Sequence, residues 1–205
     1  IDSCALSYAG VSSKYISIER VSPDSPAGVA SSWQNGVKVY YNSGESSLAA
    51  GTPHDQNTNY GLIPIYITEI MFNGAAGATA DYIEIYNAGS DSYYMYNWSI
   101  YEEGTAEVSI SDSIISANKY YLIESSEAAT TISADLVDSM DLSNDRIYLY
   151  AGPTNSYYLI DQAGNAVDWA TADTNFAQSG IACEKPTPAA DGTNSVNWRN
   201  ATSNI

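Results

Sequence analysis

The chain contains 205 residues, with 24 acidic and 7 basic side chains and a formal net charge of −17. A surface of that charge repels phosphate backbones, which argues against nucleic-acid binding, and it can attract cations. No apolar run approaches the roughly 20 residues that a membrane helix needs, so membrane insertion is not expected.

Short runs rich in Tyr, Ile and Val follow one another along the chain, and helical periodicity is nearly absent. Clusters of Gly, Asn, Ser and Pro separate the runs, as in β-sandwiches and β-barrels. The pattern therefore predicts an all-β fold. The predicted strands, in chain order, are 14–19, 37–41, 64–72, 81–87, 98–103, 119–124, 146–152 and 157–161.

The predicted strand 81–87 has a clear two-residue alternation. Tyr82, Glu84 and Tyr86 are expected on one face of the sheet, and Ile83 and Ile85 on the other. The chain holds 18 tyrosines. Because Tyr combines an apolar ring with a hydroxyl group that can stay hydrated, this composition suits sheet surfaces that contact other surfaces.

The acidic stretch 135–145 is interpreted as a strand entered through a solvated loop, with Leu136, Val137, Met140 and Leu142 to bury. Its carboxylates are candidate calcium ligands, since Ca²⁺ takes about six to eight oxygen atoms. No cofactor is expected apart from Ca²⁺. The candidate ligands are Asp135, Asp138, Asp141 and Asp145.

An irregular motif occurs twice, as ERVSPDSPAGVASSW from Glu19 to Trp33 and as EKPTPAADGTNSVNW from Glu184 to Trp198. In each copy a basic residue directly follows the Glu. A Pro lies four positions after the Glu, and the Trp lies ten positions after that Pro. Neighbouring residues on a strand point to opposite faces, so the Glu and the basic residue need separate partners. Each Trp is expected to pack under a loop.

Five segments of the chain resemble the strands of a known domain and follow one another in the same order. They are YITEIMFN (66–73), DYIEIYNAGSDSYYMYNWSI (81–100), ISANKYYLIES (115–125), MDLSNDRIYLY (140–150) and IDQAGNAVDWA (160–170). In these segments residues 62–200 resemble the lamin tail domain, which occurs in nuclear lamins and in secreted or surface proteins of prokaryotes. The resemblance implies an immunoglobulin-like β-sandwich.

The resemblance also explains the repeated motif, because the family domain usually closes with a Glu-Arg-x-x-Pro element and a later Trp. Residues 1–60 are therefore expected to be the closing part of a first repeat, with orphan strands and a linker at 51–61. Residues 61–205 are expected to be a near-complete lamin-tail-like sandwich. The predicted fold is thus an immunoglobulin-like β-sandwich with an additional partial β-sheet segment at the N-terminus.

A segment of two or three strands cannot bury its own apolar face and leaves sheet edges open to pairing. The leading hypothesis is a non-enzymatic extracellular structural protein that self-assembles into a filament or surface layer of identical subunits by β-strand complementation. The residues predicted to carry assembly are Tyr15, Ile16, Ile18, Val37, Val39 and Tyr41. Weaker candidates for a lateral contact are Tyr93, Tyr94 and Tyr96.

Two alternatives remain open. The chain could be an accessory module for adhesion or carbohydrate binding, excised from a larger secreted protein, in which exposed Tyr and Trp side chains hold the ligand. It could also be a domain appended to a secreted nuclease or phosphatase whose catalytic part is absent.

The sequence contains no motif for catalysis, so no catalytic residue is predicted. His54 is the only histidine and lies in the linker, which excludes a Ser-His-Asp triad and a multi-histidine metal site within this sequence. Glu69 and Glu84 are expected to be neighbours on adjacent strands. The resemblance implies that these two carboxylates have structural roles, such as hydrogen bonds to loop backbone or to Arg and Lys.

Two features favour an extracellular or cell-surface location. Asn97 and Asn200 each begin an N-x-S/T sequence, the acceptor pattern for N-glycosylation. Cys4 and Cys183 can form a disulfide in an oxidising compartment. If these cysteines instead lie in separate domains, they are free or pair between chains.

Overall fold

The computed structural model of the chain is built almost wholly from β-strands. For some strand residues the structure describes the backbone but not the side chain. The structure describes residues 17–20, 33–36, 39–40, 49–50, 63–71, 81–95, 98–102, 105–111, 113–125, 131–142, 146–150, 166–171 and 181–202.

Each strand in the described part is short. The strands are β1 Ile18–Arg20, β2 Trp33–Asn35, β3 Val39–Tyr40, β4 Ala49–Ala50, β5 Ile65–Met71, β6 Tyr82–Asn87, β7 Tyr93–Tyr94, β8 Trp98–Glu102, β9 Thr105–Ile110, β10 Ile114–Ile115, β11 Tyr120–Glu124, β12 Leu136–Val137, β13 Arg146–Tyr150, β14 Ala166–Thr171, β15 Cys183–Glu184 and β16 Arg199–Asn200. A single 3-10 turn, Ser195–Asn197, lies just before β16. No helix among these residues has the length and apolar character required to cross a membrane.

One layer of the sandwich is a six-stranded sheet with the order β12-β11-β6-β5-β15-β16. Its strands pair antiparallel, except that β11 and β12 run parallel. The inner face of this sheet contributes fully buried isoleucines, namely Ile65, Ile67, Ile70, Ile83, Ile85 and Ile123.

The second layer is a four-stranded sheet with the order β14-β13-β8-β9. Its buried residues complete the same hydrophobic core, with Trp98 and Ile100 from β8 and Ile147 and Leu149 from β13. Burying an aliphatic or aromatic side chain of this size stabilises the fold by about 1.5–3 kcal/mol. The core between the two sheets is therefore the main stabilising element of the sandwich.

The predicted all-β, immunoglobulin-like sandwich is confirmed. The alternation predicted for β6 is also observed, because Ile83 and Ile85 are buried in the core while Glu84 and Tyr86 lie half-buried on the other face. The strand β9, TAEVSI, which pairs with β8, is not among the strands predicted from the sequence. The predicted strand 157–161 lies outside the described residues.

The acidic stretch 135–145 differs from the prediction in one respect. Met140 and Leu142 are buried as expected, whereas Val137 is 59% exposed and Leu136 is only partly buried. The reason is the alternation of side chains along β12, which places Leu136 beside the core residue Ile123 and Val137 beside Glu124 on the outer face.

The first sixty residues contain two small two-stranded sheets, β1–β2 and β3–β4, in the described part. The predicted partial β-sheet segment at the N-terminus is thus present. The division of the chain into residues 1–60 and 61–205 stays a prediction.

Candidate functional site

The sheet that covers the sandwich core is completed at one end by a hairpin of β15 and β16. On one side, Cys183 and Glu184 of β15 lie opposite Ile70 and Glu69 of β5. On the other side, the same two residues lie opposite Asn200 and Arg199 of β16. We call residues 182–201 the closing hairpin, because it joins the edge of β5 and covers the core there.

The hydrogen bonds show which backbone groups of β15 face which neighbour. The Lys185 N–H donates to the Thr68 carbonyl of the β5 strand over 2.7 Å, and the Ala201 N–H donates to the Ala182 carbonyl over 2.8 Å. Because backbone N–H and C=O groups alternate in direction along a strand, those of Cys183 and Lys185 point to β5. Those of Ala182 and Glu184 point to β16.

Lys185 is the most unusual side chain of the closing hairpin, because it is 3% exposed. Its ammonium group lies 5.7 Å from the ring centroids of both Tyr66 and Trp198. A cation between two aromatic faces is stabilised by cation–π attraction, which offsets part of its desolvation. The Trp198 indole N–H donates to the Gly192 carbonyl over 2.8 Å. The predicted packing role of Trp198 is therefore confirmed.

Glu184 and Lys185 have separate partners, as the alternation predicts. Glu184 accepts a hydrogen bond of 2.6 Å from the Arg199 guanidinium on the outer face of the sheet, where Arg199 is 59% exposed. An exposed pair of this kind contributes little, about 0–1 kcal/mol.

We call β1 and β2 with their flanking residues (17–20 and 33–36) the N-terminal hairpin, and their pairing repeats that of β15 and β16 in the closing hairpin. Ile18 lies opposite Asn35, and Glu19 opposite Gln34, as Cys183 and Glu184 lie opposite Asn200 and Arg199. The Gly36 N–H donates to the Ser17 carbonyl over 2.8 Å. This hydrogen bond corresponds to the one between Ala201 and Ala182.

The aromatic contact is repeated as well. The Arg20 guanidinium lies 5.4 Å from the centroid of the Trp33 ring, in the position that Lys185 takes relative to Trp198. Every equivalent pair has the same separation along the chain, so residues 17–20 and 33–36 adopt the same local structure as their counterparts in the closing hairpin. It follows that the backbone of Ile18 points away from β2, as the backbone of Cys183 points away from β16 and toward β5.

The outer face of the six-stranded sheet carries a row of three glutamates. Glu69 of β5 lies directly opposite Glu84 of β6 on one side and Glu184 of β15 on the other. A β-bulge between Ile67 and Glu69 turns Thr68 to this face, and its hydroxyl donates to Glu84 Oε1 over 2.7 Å. The Tyr82 hydroxyl donates to Glu69 Oε1.

The carboxyl groups of Glu69 and Glu84 are harder to ionise than free ones. Burial raises the pKa of Glu69, the hydrogen bond from Tyr82 lowers it in part, and the Glu184 carboxylate adds to the rise. Burial likewise raises the pKa of Glu84 against the hydrogen bond from Thr68, and Glu69 and Glu184 raise it further. Burial and the bond to Glu69 raise the pKa of Tyr82, so its hydroxyl stays a donor.

The predicted neighbourhood of Glu69 and Glu84 is thus observed, but their partners differ from the expected ones. Tyr and Thr hydroxyls bind them in place of Arg, Lys or loop backbone. No sequence pattern points to Thr68, because its side chain reaches the outer face only through the bulge.

Beside the glutamates runs a tyrosine row of Tyr66, Tyr86 and Tyr120, one from each of β5, β6 and β11. The rings of Tyr86 and Tyr120 have centroids 4.5 Å apart, and Tyr120 is 58% exposed. This row places three aromatic side chains next to one another on the outer face. It could stack against the apolar face of a ligand.

The ends of β6 are fixed by two fully buried polar residues. Asp81 Oδ2 accepts the Leu142 N–H over 2.7 Å. The Asn87 amide group donates to the carbonyls of Asp91, Ile115 and Ser116, and its oxygen accepts the Gly89 N–H. Asp and Asn at the ends of the DYIEIYN motif therefore anchor loops rather than form a catalytic site.

The structure describes two of the six predicted assembly residues. Ile18 lies in β1 and Val39 in β3, whereas Tyr15, Ile16, Val37 and Tyr41 lie outside the described residues. The prediction of a lateral contact through Tyr93 and Tyr94 is wrong for these two side chains, because both are buried in the sandwich. Tyr96 lies outside the described residues.

The calcium candidates do not come together as a metal site in the described part of the chain. There, no three His, Cys, Asp or Glu side chains form a group that could hold a metal ion. Asp135 Oδ2 accepts the Leu122 N–H, and Asp138 Oδ1 accepts the Ser139 N–H. Asp141 is exposed and Asp145 lies outside the described residues, so calcium binding stays a prediction.

The disulfide and glycosylation candidates also stay predictions. Cys183 is buried in β15 of the closing hairpin, and Cys4 lies outside the described residues. Asn200 is half-buried in β16, with its Oδ1 atom buried, and Asn97 lies outside the described residues.

Comparison with known proteins supports the same fold. The family model of the lamin tail domain matches residues 61–174, which is more than half of the chain. No curated protein matches the chain. The match ends before β15, so the closing hairpin is assigned to the sandwich by its pairing with β5.

Proposed function

Since this chain belongs to the lamin tail domain family, whose immunoglobulin-like domain is non-catalytic, we propose that it is a non-enzymatic extracellular structural protein. It self-assembles into a filament or surface layer of identical subunits. The contact between subunits is β-strand addition by the N-terminal hairpin.

The observation that carries this proposal is the match between the N-terminal hairpin and the closing hairpin. In the closing hairpin, the backbone of Cys183 faces β5 and pairs with it. The equivalent residue in the N-terminal hairpin is Ile18, whose strand pairs with β2 in a two-stranded sheet among the described residues. A strand edge of the same build is thus present at β1, and such edges take up further strands.

The hydrogen bonds of the three glutamates on the outer sheet face support a non-enzymatic role. Glu69, Glu84 and Glu184 each accept a hydrogen bond from a side chain of the same sheet face. A general acid–base pair needs a carboxylate that reaches the substrate from a cleft. On a flat sheet face these three residues serve the structure instead. The two N-x-S/T sequences and the two cysteines support an extracellular or cell-surface location.

The test compares two substitutions at one position. Ile18→Pro removes the N–H that points away from β2, and the hairpin keeps its pairing with β2. Ile18→Ala alters the side chain and keeps that N–H. Negative-stain microscopy is expected to show polymers of the unchanged chain and of Ile18→Ala, and monomers of Ile18→Pro. Polymers of Ile18→Pro equal to those of the unchanged chain would reject strand addition at β1.

A second candidate function is adhesion or carbohydrate binding, favoured by the tyrosine row on the outer sheet face. Sugar rings stack on Tyr side chains, and the neighbouring glutamates can accept hydrogen bonds from hydroxyl groups. Sedimentation of the protein with insoluble polysaccharides tests this function. Binding that is lost in Tyr120→Ala and kept in Val196→Ala would favour it, and monodisperse monomers without polymers would favour it over assembly.

A further inference from the structure

The described residues expose four large apolar side chains, and three of them lie close together in the sequence around the sheet edge. Tyr120, Ile132 and Val137 are 58%, 53% and 59% exposed, and the fourth is Val196 at 81%. Tyr120 begins β11, and Val137 ends β12, which pairs with β11. Val137 lies in the strand at the sheet edge, opposite Glu124, and an exposed apolar side chain at an edge favours a contact surface there.

The backbone of β12 presents hydrogen-bonding groups at the same edge. The Asp135 and Asp138 N–H groups donate to the carbonyls of Leu122 and Glu124 in β11. Because these groups alternate along a strand and the Asp138 N–H faces β11, the N–H and C=O of Val137 point away from β11. In the described part of the chain, β12 is the last strand of the six-stranded sheet.

We propose that the β12 edge of one copy of this chain receives the β1 edge of a second copy. The inference rests on the proposed function and names its interface. The N-terminal hairpin of the second copy then continues the six-stranded sheet beyond β12. Ile18 of β1 and Val137 of β12 supply the facing backbone groups, and Val137 loses exposed apolar surface.

The charges at the two edges favour this pairing over the alternatives. Asp135 and Asp138 flank Leu136–Val137, and Arg20 ends β1. Pairing of β12 with a second β12 would bring four carboxylates together, which is unfavourable. Pairing of β12 with β1 brings Arg20 to the acidic edge. Natural edges are commonly protected by Lys or Pro, and the segment 135–138 contains neither residue.

The proposed contact has two different surfaces, which determines the form of the assembly. A contact between β1 of one copy and β12 of the next is heterologous, and each copy keeps one edge of each kind. Such contacts build an open chain of subunits unless the rotation closes it. The geometry therefore predicts a linear polymer that grows at both ends.

The test uses two exposed valines in the full-length chain. Val137→Lys places a charge on the β12 edge, where the side chain is exposed, so the fold is retained. Val196→Lys makes the same substitution at an exposed position in the 3-10 turn. Sedimentation velocity is expected to show that Val137→Lys raises the concentration needed for polymers about tenfold or more, whereas Val196→Lys leaves it unchanged.

Mixing two blocked variants gives a positive readout. Ile18→Pro keeps the β12 edge, and Val137→Lys keeps the β1 edge. Each is expected to be monomeric alone, and an equimolar mixture is expected to form a dimer. Dimers of Val137→Lys alone would overturn the inference in favour of β1–β1 contacts, and dimers of Ile18→Pro alone would overturn it in favour of β12–β12 contacts.

The outcomes separate this inference from the proposed function. Polymers of Val137→Lys at the same concentration as the unchanged chain would overturn the β12 interface and leave strand addition by β1 in place. If the unchanged chain forms no polymers at any concentration, the proposed function fails, and the inference fails with it.

Discussion

Glu69 lies directly opposite Glu84 on neighbouring antiparallel strands, on the outer face of the six-stranded sheet. Like charges at such cross-strand positions destabilise a sheet. Burial raises the pKa of both carboxyl groups, and the charge of Glu184 on the next strand adds to the rise. The hydroxyl groups of Tyr82 and Thr68 reduce the conflict by donating to the two carboxylates.

The first prediction concerns stability and pH. A carboxyl group whose pKa is higher in the folded protein than in the unfolded chain binds protons preferentially in the folded state. The free energy of unfolding should therefore fall as the pH rises from the ordinary Glu value of 4.5 through the raised values of Glu69 and Glu84. Urea unfolding at pH 5 and at pH 7.5 is expected to give the higher midpoint at pH 5.

The second prediction assigns that pH dependence to the glutamate row. Glu84→Gln removes one of the facing charges and keeps an oxygen that can accept the Thr68 hydroxyl. It should raise the free energy of unfolding at pH 7.5 by about 0.2–1 kcal/mol and flatten the pH dependence. Asp141→Asn, at an exposed position, removes the same charge and serves as the control. An equal gain in both variants would assign the effect to net charge instead.

The third prediction concerns the loops that Asn87 holds together. Its buried amide donates to three carbonyls and accepts one N–H, so Asn87→Ala leaves several buried groups without a partner. The loss should be about 3 kcal/mol of unfolding free energy. The exposed Asn194 accepts a hydrogen bond only from the Val196 N–H, and Asn194→Ala should cost about 1 kcal/mol or less. Similar losses in both variants would contradict the anchoring role of Asn87.

The fourth prediction tests whether the two hairpins are structurally equivalent. Residues 17–36 and 182–201 have equal lengths and matching registers, so a chain in which the first sequence replaces the second should fold. The replacement loses the ion pair between Glu184 and Arg199, since Gln34 stands where Arg199 does. It also places Ile18 where Cys183 packs, so a loss of about 1–3 kcal/mol is expected. A cooperative thermal transition checks this result, and a chain that melts without one would reject the equivalence.

The alternation of apolar and polar residues along the strands predicts much of the fold. Particular positions show what it does not predict. Ile83 and Ile85 are buried as predicted because each strand of a two-layer sandwich has one inner face. Burial is predicted for both Leu136 and Val137, but neighbours on a strand point to opposite faces, and Val137 lies on the outer face beside Glu124, where it is exposed. Sheet order depends on contacts between segments far apart in sequence.

The same limit applies to the candidate site. The repeated motif predicts that Glu19 and Glu184 occupy equivalent positions, and the matching registers agree with this. The contact of Lys185 with Tyr66 is not predicted, because Tyr66 is brought to the hairpin only by the pairing of β15 with β5. Local motifs therefore reveal the hairpins, and the tertiary pairing reveals what they bind.

The measurement that tests assembly most directly is sedimentation velocity of the unchanged chain over a wide range of concentrations, combined with negative-stain microscopy of the same samples. Assembly by strand addition predicts unbranched polymers that lengthen with concentration and disappear when residues 1–60 are removed. A single monomeric species at every concentration would contradict it, and so would polymers that persist unchanged without residues 1–60.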